Sequence, residues 1–104
     1  MLRLTTLPIP NAPGAMVTRE IIAAEAIELI RKAFRESQCI SHVGYEETNR
    51  LIERKLGGIL TRGDRHMPKP QPGDSFITIR LANGKGRSID DFVFLLTEFN
   101  EGAS

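Results

Sequence analysis

With 104 residues, 26% of them charged and 40% apolar, the chain has the size and composition of one globular domain, residues 1–104, with a single modest core. Its 14 basic and 13 acidic residues leave a net charge of +1. That balance excludes a global electrostatic case for duplex nucleic acid or an acidic membrane, so any anion site must be local. A lone cysteine, Cys39, excludes an internal disulfide and a cysteine-built zinc site, and beside Ile40 it reads as a small core residue. No apolar run approaches membrane-spanning length and no signal-peptide hydrophobic region opens the chain, so a cytoplasmic protein is expected.

Residues Met1 to Ile9 begin as a strand, Leu2 and Leu4 alternating with Arg3 and Thr5, until Pro8, Pro10 and Pro13-Gly14 end it. Met16 to Ile21 fits a second short strand. Ala23 to Phe34 is a predicted helix, with Ile27, Ile30 and Phe34 on one face and Glu25, Glu28, Arg31 and Lys32 mostly on the other. Cys39 to Val43 is a brief extended piece. After a second helix, three prolines between Pro68 and Pro72 force an extended, edge-like path, and Pro72-Gly73 fits a tight turn. Ser75 to Leu81 alternates, with Ile77, Ile79 and Leu81 opposite Phe76, Thr78 and Arg80. Asn83-Gly84-Lys85-Gly86 is a turn able to close a hairpin, and Phe92 to Leu96 is an apolar run suited to the middle of a sheet. Glu101 to Ser104 reads as a frayed end. The expected architecture is α/β: a mixed sheet of about five strands with two helices packed on one face. The other face then needs a cover, and a two-fold homodimer that abuts or extends the sheets would supply one.

The stretch Ser41-His42-Val43-Gly44-Tyr45-Glu46-Glu47-Thr48 carries the candidate chemistry. It runs from an extended segment through a glycine turn into a helix. Gly44 can take backbone angles closed to other residues and lets a ligand approach the main chain. Glu46 and Glu47 suit the positive end of the helix, Arg54 and Lys55 the negative end. Thr48, Leu51, Ile52 and Leu56 form the apolar stripe, and Gly57-Gly58 stops it. Free N–H groups at such a helix start can bind phosphate.

On these segments the chain resembles the small virus-encoded ring nucleases, a family that includes inhibitors of type III CRISPR defence. The likeness runs over nearly the whole length: the strand and loop Leu4 to Gly14, the helix Ala24 to Ile30, a Ser-x-[Ile/Val]-Gly-His-[Glu/Asp]-x-Thr signature at Ser41 to Thr48, and the ending Leu56-Gly57-Gly58. Arg65 also precedes Pro72-Gly73-Asp74 at the family's interval. The resemblance implies a dimer holding cyclic tetra-adenylate across a two-fold axis. It implies cleavage without metal or other cofactor, by attack of a ribose 2′-hydroxyl while the signature histidine protonates the departing 5′-oxygen. As ligand contacts it implies Thr6 and Asn11 in the first loop, Gly44, Tyr45 and Glu46 in the signature, and Arg65. Arg87 and Asp90 follow from an Arg-x-x-acid match in Arg87-Ser88-Ile89-Asp90-Asp91, with Arg80 as a weaker substitute.

One position departs from the signature. Tyr45 stands where the histidine belongs, and a phenol gives up its proton far less readily than an imidazolium at neutral pH. Losing an effective general acid typically costs about 10² to 10⁴ in rate. The ring can instead stack on a base or donate to phosphate. His42 and His66 are the remaining candidate proton carriers, although His42, on an extended segment, projects to the face opposite Tyr45. Three readings follow. The first is a viral or phage anti-defence protein in the host cytoplasm that sequesters a cyclic oligonucleotide messenger. The second is a slow, metal-independent ring nuclease with His42 or His66 delivering the proton and Tyr45 as a further catalytic candidate. The third is a protein–protein inhibitor on the same scaffold.

Overall fold

A computed structural model describes residues 1–10 and 15–100. In chain order it contains β1 (Leu2–Thr5), β2 (Ala15–Ile21), α1 (Ala23–Arg35), β3 (Cys39–Ser41), α2 (Glu46–Leu56), β4 (Thr61–Arg62), β5 (Ser75–Leu81), a 3-10 turn (Ile89–Asp91) and β6 (Phe92–Asn100). The strands form one six-stranded mixed sheet in the order β2-β6-β5-β1-β3-β4. The α/β architecture is as expected. The strand beyond the expected five is β4, whose two residues are too few for alternation to reveal. The run from Phe92 does lie inside the sheet, paired antiparallel with β5 on one side and β2 on the other. The expected frayed end, Glu101 to Ser104, lies outside the described residues, as does Pro13-Gly14.

Connection handedness decides what covers each face. β1, β3, β4 and β5 are mutually parallel, and β2 points the same way because it is antiparallel to β6. The crossovers β2-α1-β3 and β3-α2-β4 travel in one direction across the sheet, so the right-handed rule puts both helices on one face. Alternation brings Leu2, Leu4, Ile77, Ile79, Phe94 and Leu96 to that face, where they form the core with Ala26, Ile27 and Ile30 of α1 and Ile52 of α2. Cys39 is buried among them, and burial pushes its thiol up to about 11, as suits a small core residue.

The connections β1-β2 and β4-β5 travel the opposite way, so the same rule sends them across the second face. The contacts agree. Gly63 sits so close to this face that a Cβ there would lie 2.7 Å from His42 and 2.9 Å from Ile40. Asp74, at the far end of the same loop, lies 3.5 Å from Arg3. Phe76, on this face by alternation, is 0% exposed. Among the described residues, the β4-β5 loop and the stretch 7–9 therefore lie over part of the face that a dimer was expected to cover. Expectation of a dimer then rests on the family resemblance alone.

Both helices end as their sequences dictate. Gly57 closes α2 in the left-handed region, φ 74, its N–H donating to Glu53. At the end of α1, Ser37 occupies the equivalent site, φ 58, with Ser37 and Gln38 N–H groups donating to Phe34 and Ala33. This is the Schellman pattern with serine where glycine costs least.

Candidate ligand cleft at the carboxyl ends of the parallel strands

After β1 the chain adds β3 and β4 on one side, then returns to place β5 on the other, so the strand order reverses around β1. In open α/β sheets such a reversal leaves a crevice beyond the strand carboxyl ends, where ligands bind. A cleft of about 560 Å³ occupies this place. Thr6, just past β1, forms one wall, and Ile79, Arg80 and Leu81 from the end of β5 another. Tyr45, Glu47 and Thr48 enter from the start of α2, and Lys85, Gly86 and Phe92 from the hairpin. The floor is apolar, the rim carries the cations Arg80 and Lys85, and Glu47 is the acid among the lining residues.

A buried polar lock fixes the turn that presents Tyr45. Ser41 Oγ donates to Asn49 Oδ1 at 2.5 Å and accepts from the Val43 N–H at 3.2 Å. Asn49 Nδ2 donates to the Val43 carbonyl at 3.0 Å, and both Ser41 and Asn49 are 0% exposed. Tyr45 is the N-cap of α2 but caps nothing with its side chain; its ring stands 59% exposed at the cleft. The Arg65 guanidinium lies 5.9 Å from the ring centroid, within cation–π range. Gly44 serves this pairing by contact rather than by backbone angle. It is not among the positive-φ glycines, whereas a Cβ on it would lie 3.3 Å from Arg65 Cδ.

Glu46 is turned to other use. Its carboxylate accepts from Arg62 at 3.0 and 3.2 Å, while Arg62 also reaches Glu53 at 2.8 Å. Hydrogen bonds from Arg62 hold both carboxyls below their usual range. Glu47, one residue on, is the acid that lines the cleft. His42 is 3% exposed on the second face, three residues and one sheet surface away from Tyr45. Its Nε2 lies 2.9 Å from Arg3 Nη1 and its Nδ1 2.6 Å from the Asp64 carbonyl. Arginine only donates and a carbonyl only accepts, so Nε2 accepts from Arg3 and Nδ1 donates to the Asp64 carbonyl. His66 is exposed in the following loop, its backbone N–H donating to the Asp64 carboxylate, and lines no part of the cleft.

On the hairpin, Gly84 and Gly86 take left-handed φ values of 62 and 71. Asp91 organises this turn: its carboxylate accepts from the Arg87 and Ser88 N–H groups at 3.0 and 3.3 Å. Asp90, chosen on spacing, is exposed with its N–H donating to Ser88. Arg87 lines a separate groove beside the cleft. Of the sequence-derived candidates the cleft thus brings together Thr6, Tyr45 and Arg80, the weaker substitute for Arg87, with Gly44 and Arg65 adjoining; it does not bring in His42, Glu46, Arg87 or Asp90. Asn11 lies outside the described residues. Sequence reasoning missed Lys85 and Glu47, and the signal for Asn49 was a polar residue three before Ile52 on the buried side of the helix.

No protein-family model and no curated protein matches the chain. Solved structures do. The fold is similar to that of B116 of Sulfolobus turreted icosahedral virus. The TM-score is 0.72 over 92% of this chain and 97% of that one, at 13% sequence identity, a likeness of fold. Among the described residues no group of three or more His, Cys, Asp or Glu is arranged to hold a metal, and no helix is long and apolar enough to cross a membrane.

Proposed function

We propose that this protein binds and sequesters a cyclic oligonucleotide that serves as an immune second messenger, and so acts as an anti-defence protein of a virus or phage in the host cytoplasm. The observation that carries the reading is the pairing of an aromatic face with cations over an apolar floor, in a cleft that no imidazole lines. A base stacks on the Tyr45 ring, whose other neighbour is the Arg65 guanidinium. Phosphate oxygens meet Arg80, Lys85 and the uncapped N–H groups at the start of α2. Ile79, Leu81 and Phe92 take the sugar and the second base face. Likeness in fold to an archaeal-virus protein supports the viral context. In this reading two copies close around one ring, so the working unit is a homodimer.

Sequestration rather than turnover follows from proton accounting. Attack of a 2′-hydroxyl on phosphorus forms one P–O bond and breaks another, and the departing 5′-oxygen needs a proton. Tyr45 is the hydroxyl in position, and both nitrogens of His42 are already engaged. The test is incubation of the purified protein with cyclic di-, tri- and tetranucleotides, then denaturation and separation of the released nucleotide. Intact ring, with a raised melting temperature during binding, is the expected result; saturation at about 100 times Kd stabilises by about 2.7 kcal/mol. Linear products that vanish in His42→Ala would replace this reading with a slow nuclease. Absence of any thermal shift with every ring would overturn this reading and favour a protein-binding role over it.

A further inference from the structure

Beside the cleft, and sharing Glu47 and Gly86 with it, runs a second groove of about 280 Å³ along the exposed flank of α2. Arg50 and Arg54, one helical turn apart, form its floor edge, and Arg87 of the hairpin faces them. Four of the chain's arginines are matched to acids: Arg3 to Asp74, Arg19 to Glu25, Arg31 to Glu28 and Arg62 to Glu46 and Glu53. Among the described residues Arg50, Arg54 and Arg87 form no such pair, and all three are exposed. Glu47 is the acid in the wall and Leu51 the apolar side chain. Three guanidiniums lining one groove against the single carboxylate of Glu47 leave an excess of positive charge, which favours an anionic occupant.

We infer that this groove binds the backbone of a single-stranded oligonucleotide, independently of the ring proposed for the cleft. A row of guanidiniums matches successive phosphates, each in a planar fork. A protein partner would need an aromatic or aliphatic anchor at the centre of its interface, and half-buried Leu51 does not offer one. A near-neutral chain with a patch this short does not hold a duplex. Binding is independent of base sequence, because nothing in the groove reads base edges, and it is salt-dependent.

The experiment titrates the full chain with a short fluorescently labelled single-stranded oligoribonucleotide, followed by anisotropy, at salt from about 50 to about 200 mM. Three phosphate contacts predict a log–log salt slope of about −2, at about −0.7 per contact. The double variant Arg50→Gln/Arg54→Gln should bring the slope to about −0.7 and weaken low-salt binding roughly tenfold. Its melting temperature and its response to cyclic nucleotides should stay unchanged, since neither arginine lines the cleft and, among the described residues, neither makes a side-chain hydrogen bond or ion pair. An unaltered slope in that variant overturns the proposal, as does absence of low-salt binding. Equally tight binding of polyglutamate also overturns it, by making the groove a general acid-binding or protein-binding surface. Loss of ring binding with strand binding intact would remove the function proposed above and leave this one standing.

Discussion

His42 and Tyr45 lie three residues apart on one segment, yet the molecule uses them in opposite ways. His42 faces the loop-covered side of the sheet, 3% exposed, between Arg3 and the Asp64 carbonyl. Tyr45 faces the cleft at 59% exposure, with no side-chain hydrogen bond among the described residues and one cation over its ring. A period-two segment guarantees this split, since odd and even residues point to opposite surfaces until the helix begins. The difference teaches that the titratable ring is spent on holding a loop, while the position open to a ligand carries a group ill-suited to give up a proton. Chemistry and architecture are separated by one sheet thickness.

Moving the imidazole to the open side is the most direct way to break that separation. Tyr45→His should gain ring-cleaving activity over the native chain by about 10² to 10⁴, the usual worth of a placed general acid. Product formation under single-turnover conditions measures it. Activity indistinguishable from the native protein would mean that the cleft does not bring a scissile phosphate to this position.

The complementary change tests the closed side. His42→Ala strips the half-buried Arg3 of its ring partner and uncovers Gly63 and Ile40, which should cost about 2 to 3 kcal/mol by urea denaturation. Nucleotide products should not change. Asn49→Ala probes the lock between the two regions: it orphans the buried Val43 carbonyl and the Ser41 hydroxyl, for about 2 kcal/mol. Tyr45 remains in sequence but loses its fixed presentation, so cyclic-nucleotide binding should weaken with stability.

These contrasts also mark what could be read in advance. Strands, helices and hairpin were legible because period-two and helical apolar patterns are local. The turn that carries Gly44 and Tyr45 was legible because a passage from extended chain into helix is local too, whereas Thr6 came from the family resemblance. The cover of the second face was not, because it follows from connection handedness, which needs the strand order. Glu46 and Glu47 look interchangeable in sequence; Arg62, sixteen residues beyond Glu46 on an exposed two-residue strand, decides which of them faces the cleft. Asp90 and Asp91 are likewise separated only by the hydrogen bonds of a 3-10 turn.

The Arg62 clamp supplies the smallest expected effect, and its sign follows from the carboxyls it holds. Hydrogen bonds from Arg62 come first among the causes that lower Glu46 and Glu53 below the ordinary value of 4.5. A group depressed in the folded state contributes its stability above its unfolded value and loses it as pH falls through its folded one. The pair therefore stabilises at neutral pH, and the contribution declines below about pH 4.5. Glu46 is largely in solvent, so most of the effect belongs to Glu53, whose side chain is 14% exposed; solvent screening limits it to a few tenths of a kcal/mol. Urea midpoints of the native chain and Arg62→Gln, compared from pH 7 to about pH 3.5, should show a native advantage at neutral pH that shrinks in acid. An advantage constant across that range would assign Arg62 to packing alone. Loss of the clamp should also free Glu46 to swing toward the cleft, adding a second acid beside Glu47 and weakening any anionic ligand there.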